Sequence, residues 1–341
     1  MAHALDMTNG RVNYAYVGKP GWHGLGNPLE SDATLETWAK TAGLSHDVLE
    51  LPSLYEFNGA MTQHEGRKTL VRSDNGFALA NVGEGYEVVQ PAAVLEFYRD
   101  LVDASGLFTL ETAGSLHGGR KVWALAKSKL ELSIGAADIV LPYLFLATSY
   151  DGTMATTGKF TTVRVVCQNT LAMADRGNGA AVRVPHSTRF DADAVKAELG
   201  LIETKAADFE STARAMADVS LSPGDSLDFF ATIFGNEPGQ LNGTPELDAL
   251  PRQRLQRIER AVDAYTGGPG ANLAGSRGTL WGAVNAVTHL VDHGGTGRTP
   301  ESRFTSAQFG PGASQKAAAW ELAGRVLESV KQGEKALELA R

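Results

Sequence analysis

The stretch Leu107–Leu130, LFTLETAGSLHGGRKVWALAKSKL, decides the fold. Two runs of strand length flank Gly118-Gly119, which predicts a β-hairpin with basic residues on its outgoing strand. Upstream, LPSLYEF, RKTLVRS and GFALANV read as strands, and Asn75-Gly76 supplies a turn between the last two. Tyr86–Val89 reads as another short strand. Downstream, Ile139–Tyr150 and Lys159–Val166 flank the turn-like DGTMATTG, a further hairpin. Two helices interrupt the strands. Leu35–Ala42 follows the capping candidates Ser31 and Asp32, and Ala92–Ser105 starts after Pro91 and aligns Val94, Leu95, Tyr98, Leu101 and Val102 on one face. The sum is an α+β fold with a mostly antiparallel sheet, not a Rossmann alternation.

From Ala192 the texture becomes helical. Ala192–Leu221, Ser226–Phe234, Pro251–Tyr265, Thr279–His293 and Ser314–Leu339 all carry helical patterns, with a Gly/Pro/Asn loop at Gly235–Thr244. The expected organisation is a sheet-bearing α+β core over residues 1–190 and a helical region over 191–341, either separate or packed on the same core.

At 341 residues the chain can bury a sizeable core, and its apolar content of 43% with 21% charged residues is ordinary for a globular protein. A net charge of −8 weighs against wholesale nonspecific nucleic-acid binding, but the basic charge is concentrated. Gly152–Phe190 carries five cations against one acid, 5 − 1 = +4, and Leu116–Leu130 carries four cations and no acid. The single cysteine excludes an internal disulfide and fits a reducing compartment. The first residues have no apolar core of signal-peptide length, and the longest apolar run, Ile139–Ala147, is interrupted by Pro142. A cytoplasmic protein with no membrane partner is expected.

Three constellations could carry chemistry. His289 and His293 stand four residues apart on one helix face, the spacing of helical zinc sites, and Asp292 takes the place of the usual glutamate; the same pair also suits a helix C-terminus through the dipole. Cys167 could act as a thiol nucleophile with His186 or His289 as base, or be a small buried hydrophobe between valines. The third is a basic groove of Arg120, Lys121, Lys159, Arg164, Arg183, His186 and Arg189, joined by Arg252, Arg254, Arg257 and Arg260 on one helix, with Trp22, Tyr86, Trp123 and Tyr150 available to stack bases. A solvated face of ordinary ion pairs is the plainer account. Gln168 and Asn169 sit at a strand end in an otherwise apolar run, and Asn285 lies on a polar helix stripe with His289 and Asp292, so these three are expected to organise the site.

The segments GWHGLG, YEVVQ, GGRKVWALA, YDGTMA, RVVCQNTLAMA, VPHST and WGAVNAVTHLVDH, taken together from about Gly21 to Ala319, resemble the phage/plasmid-like domain-of-unknown-function family number nine hundred thirty-two. The resemblance implies a product of phages, prophages or conjugative elements, with DNA metabolism as the favoured setting. Where Arg-His-Thr is expected this chain has His186-Ser187-Thr188, with Arg183 three residues earlier. An antiparallel sheet with a helix against it is also similar to the core of single-strand annealing proteins, a likeness at the level of fold alone.

The expectation is a non-catalytic, cofactor-free, homo-oligomeric protein of a bacterial host's cytoplasm that binds single-stranded DNA. Arg120, Lys121, Lys159, Arg164, Arg183 and Arg189 would hold phosphates. The rivals are a metal- or thiol-dependent enzyme using His289 and His293 or Cys167, and a host-interaction protein that blocks a bacterial defence.

Overall fold

The computed structural model describes residues 7–8, 11–18, 26–135, 137–164, 170–172, 181–199, 202–294 and 300–333. In chain order the first elements are β1 Met7–Thr8, β2 Arg11–Val12, β3 Tyr14–Val17, β4 Asn27–Leu29, α1 Leu35–Ala42, β5 Val48–Phe57, β6 Ala60–Arg72, β7 Ala78–Gly83 and α2 Pro91–Ser105. Then come β8 Phe108–Leu116, β9 Lys121–Ser128, β10 Leu132–Gly135, β11 Asp138–Ser149, β12 Thr156–Arg164, β13 Thr170–Ala172 and β14 Val182–Val184. The remainder is helical: α3 Ala192–Leu199, α4 Ile202–Ala217, α5 Pro223–Gly235, α6 Arg252–Gly267, α7 Leu280–His293, α8 Pro300–Phe309 and α9 Pro311–Lys331. The fold is α+β, with helices concentrated in the second half as the sequence predicts. Among the described residues no helix is long and apolar enough to cross a membrane.

The chain forms two compact units, one of residues 1–129, 143–160 and 176–201, the other of 130–142, 161–175 and 202–341. Strands β11 and β12 each begin in one and end in the other.

In the first unit the sheet runs in the order β4-β3-β8-β9-β11-β12, with β14 also paired to β12. The β8–β9 hairpin forms at its predicted place, matching Phe108 with Ser128 through Leu116 with Lys121. Its turn holds His117, Gly118 and Gly119 all at positive φ, which explains a glycine pair there. Helix α2 packs on β8 and β9, and the buried Tyr98 hydroxyl donates to the carbonyl oxygens of Ala124 (2.6 Å) and Leu144 (3.2 Å). Helix α1 is capped by Thr34, whose hydroxyl accepts from the Thr37 N–H, and ends at Gly43 in the left-handed conformation. Ser31 and Asp32, the expected caps, lie just before it.

A separate three-stranded sheet, β5-β6-β7, departs from the sequence reading. Strand β6 runs from Ala60, well before the predicted RKTLVRS, and turns out of β5 through Asn58 and Gly59, both at positive φ. The polar run MTQHEG masks the first half of the strand, where side chains are exposed to water on both faces.

In the second unit α7 is the central element, with nearly every residue from Leu280 to Asp292 buried. Gly282 is required there, because a Cβ would stand 1.9 Å from the Ser276 carbonyl oxygen. The predicted Ser226–Phe234 helix is α5, started by a capping box between Ser222 and Asp225. The predicted Ala192–Leu221 helix is divided into α3 and α4, and α8 was not read from sequence. Phe209 of α4 stacks on Trp320 of α9 at 4.8 Å and meets Trp281 edge-on at 6.2 Å. Strand β10 pairs with the start of β11, and β13 with the end of β12.

Candidate functional site

Three segments that carry the family resemblance converge in the first unit: Tyr86-Glu87 of YEVVQ, Tyr150–Ala155 of YDGTMA, and His186 of VPHST. The Tyr86 and His186 rings stack, 4.3 Å between centroids and 15° from parallel. His186 Nδ1 lies 3.2 Å from the Glu87 carbonyl oxygen and Nε2 3.0 Å from that of Met154. In return the Glu87 N–H donates to the His186 carbonyl oxygen. The Tyr86 hydroxyl donates to the Ser149 carbonyl oxygen (2.6 Å), and the Tyr150 hydroxyl to that of Val89 (2.9 Å). The sequence reading made Tyr86–Val89 a strand; it is instead a non-ladder segment held by these side chains.

Electrostatics follow the packing. Burial pushes the Tyr86 phenol up, with the Asp151 charge adding to it, so Tyr86 is a neutral donor. Burial alone would raise the Asp151 carboxyl. The hydroxyl and N–H of Thr153, with the nearby Lys121 charge, hold it below the ordinary carboxylate range. This corner therefore presents a carboxylate braced by its own turn, beside an aromatic–imidazole stack.

The predicted cations divide. Register places Lys121 opposite Ser149 and Leu125 opposite Phe145, and Thr157 opposite Arg183. Lys159 lies over the Phe145 ring at 5.2 Å. The two-residue period of a strand therefore puts Lys121, Lys159 and Arg183 on one face of the first unit's sheet. Lys159 is buried, Lys121 is half-buried and Arg183 is exposed, as is Arg189 beyond it. Arg120 is engaged internally: its Nε donates to the Leu79 carbonyl oxygen (2.8 Å) and its guanidinium lies over Phe77. Of the candidate stacking aromatics, Trp123 and Tyr150 are core residues and Tyr86 is half-buried. The Arg164 side chain, Cys167, Gln168, Asn169 and Trp22 lie outside the described residues.

The second unit holds the other candidates. The His289 and His293 rings stand 4.9 Å apart. His289 Nδ1 is buried without a hydrogen-bond partner, and burial, then the His293 charge, push His289 down against the opposing pull of Asp292. Among the described residues no group of three or more His, Cys, Asp or Glu is placed to hold a metal. Asn285 donates to the Trp281 carbonyl oxygen within its own helix (2.8 Å). Asp292 pairs with Lys316 of α9. Of the helix arginines, Arg254 binds Glu237, Arg257 binds Gln315 and covers Phe234, and Arg260 donates to Gly294, so these three clasp helices. Sequence reasoning missed the buried Asp138, whose carboxylate accepts from the Trp281 Nε1 at 2.9 Å. Its signal was an acid at the head of an otherwise apolar strand.

A family model described as a domain of unknown function (DUF932) matches residues 78–308. The chain belongs to this family. The DUF932 match includes the Tyr86–His186 stack, the sheet face bearing Lys121 and Arg183, and α7, and it starts after the β5–β6 hairpin. No curated protein and no solved structure matches the chain.

Proposed function

We propose that this DUF932 protein binds single-stranded nucleic acid without catalysis, as an annealing-type protein of phage or mobile-element DNA metabolism. The observation that supports it best is the exposure of Arg183 and Arg189 on either side of the His186 clasp, with Lys121 on the same sheet face as Arg183. Exposed guanidiniums bind phosphate oxygens irrespective of base, and a half-buried aromatic edge beside them suits an unpaired base. The mobile-element setting rests on the resemblance of the motif segments. In this reading each subunit of a homo-oligomer adds a segment of groove, and the buried Lys159 sets the potential of the face from beneath.

Fluorescence anisotropy of a labelled oligonucleotide, titrated with protein at about 50 mM salt and again at higher salt, tests the reading, since phosphate contacts are strongest at low salt. Binding that weakens with salt and with loss of Arg183 and Arg189 supports it. No binding at low salt sinks it.

A further inference from the structure

Both ring nitrogens of His186 face oxygens that can only accept: Nδ1 the Glu87 carbonyl at 3.2 Å and Nε2 the Met154 carbonyl at 3.0 Å. A neutral imidazole carries one N–H. It makes one of these bonds, and at the other contact a bare ring nitrogen meets an oxygen lone pair at hydrogen-bond distance. The imidazolium donates to both. Neither carbonyl is free to turn away. That of Met154 also accepts from the Ser149 hydroxyl at 2.8 Å, and Glu87 is pinned through its N–H, which donates to the His186 carbonyl oxygen. The last side of the seat is the Tyr86 ring, stacked at 4.3 Å, whose π face attracts a cation.

We infer that this seat is built for the imidazolium, so that the clasp on the segment carrying Arg183 and Arg189 tightens in acid and loosens as His186 gives up its second proton. Surrounding charge does not decide the matter. Residues 84–89, 149–155 and 183–189, with Lys121 opposite Ser149, carry Glu84, Glu87 and Asp151 against Lys121, Arg183 and Arg189, 3 − 3 = 0. Tyr86 and Tyr150 are held neutral by burial. Both glutamates and both arginines are exposed, so water and salt screen them. The directional contacts of the ring are left to select the protonation state. The second bond favours the imidazolium in the folded chain alone. It is therefore complete below the ordinary imidazole value of about 6.5 and is lost as pH rises above it. His186 thus ties the holding of both arginines to pH near neutrality, with or without nucleic acid.

Nitrogen NMR of the full chain with isotope-labelled histidine is the test, and His186→Gln assigns the signal. The two nitrogens of an imidazolium have similar shifts, and those of a neutral ring separate widely. Folded His186 is expected to keep the imidazolium pattern to higher pH than the same residue in the urea-unfolded chain. Losing it at the same or a lower pH overturns the inference. Trypsin reads the consequence. Cutting after Arg183 and Arg189, divided at each pH by cutting of a free peptide of residues 180–192, should rise about fivefold between about pH 6 and pH 8.5, the worth of one net hydrogen bond. In His186→Gln the corrected rate should stay level. A level wild type, or an equal rise in the variant, also overturns the inference.

Discussion

The Lys316 ammonium stands 2.7 Å from an Asp292 carboxylate oxygen, and both side chains are more than nine-tenths buried. Asp292 ends the buried run of α7 and Lys316 comes from α9, so the pair ties the centre of the helical unit to its last described helix. Removing one partner strands a buried charge. Lys316→Met is expected to cost about 3–5 kcal/mol, whereas Lys316→Met with Asp292→Leu recovers most of it. Urea unfolding of the two variants decides: equal losses would show that the pair is not coupled.

Trp281 donates to a carboxylate that has no exposed surface, that of Asp138. Trp281→Phe keeps the ring packing against Phe209 and removes the donor, with an expected loss of about 1.5–3 kcal/mol, the range for a hydrogen bond to a charged group. A denaturation midpoint unmoved by this change would mean that the carboxylate does not rely on the indole.

His289 carries a pH signature. Burial lowers its folded value below the ordinary 6.5, so the unfolded chain binds the proton more readily. Its contribution to stability is whole above that value and is lost as pH falls through it. Thermal midpoints at about pH 8 and pH 5 should therefore separate less for His289→Asn than for the wild type. Equal separations would assign the acid sensitivity elsewhere.

The Tyr86–His186 stack fixes a segment with a trypsin site on each side, Arg183 and Arg189, both exposed. His186→Ala removes the stack and both carbonyl contacts. Trypsin should then cut there several-fold faster, while global stability falls by only about 1 kcal/mol. His186→Phe, which restores stacking alone, should fall between. Cleavage as slow as in the wild type would show that the segment is held by other contacts.

If nucleic acid binds as proposed, Arg183→Ala and Arg189→Ala should each reduce the slope of log affinity against log salt by about 0.7, the value for one phosphate on a single strand. Arg120→Ala should change it little, because its guanidinium is committed to Leu79 and Phe77. A uniform effect of all three would contradict the placement of the interface.

The sheet was legible because its signals are local. Gly118-Gly119 and Asn75-Gly76 mark turns in which glycine takes a positive φ, and runs of strand length flank them. Asn58-Gly59 is a turn of the same kind, but the start of β6 after it was not read as strand, because Ala60–Gly66 is exposed on both faces and writes no alternation into the sequence. The basic residues were legible only by type. Whether a cation faces water or an aromatic ring depends on register, and register placed Lys159 over Phe145 and left Arg183 outside. The clasp at His186 joins residues up to 99 positions apart, a separation no local pattern encodes.

The pairing of Asp138 with Trp281 sets a timetable for synthesis. The acceptor leaves the ribosome 143 residues ahead of its donor. At about 5–20 residues per second the delay is on the order of ten seconds. Throughout it the carboxylate lacks its indole donor, because α7 is not yet made. Nascent chains should thus be most prone to aggregation while α7 is still being made, and slowing translation through the helical half would lengthen that window.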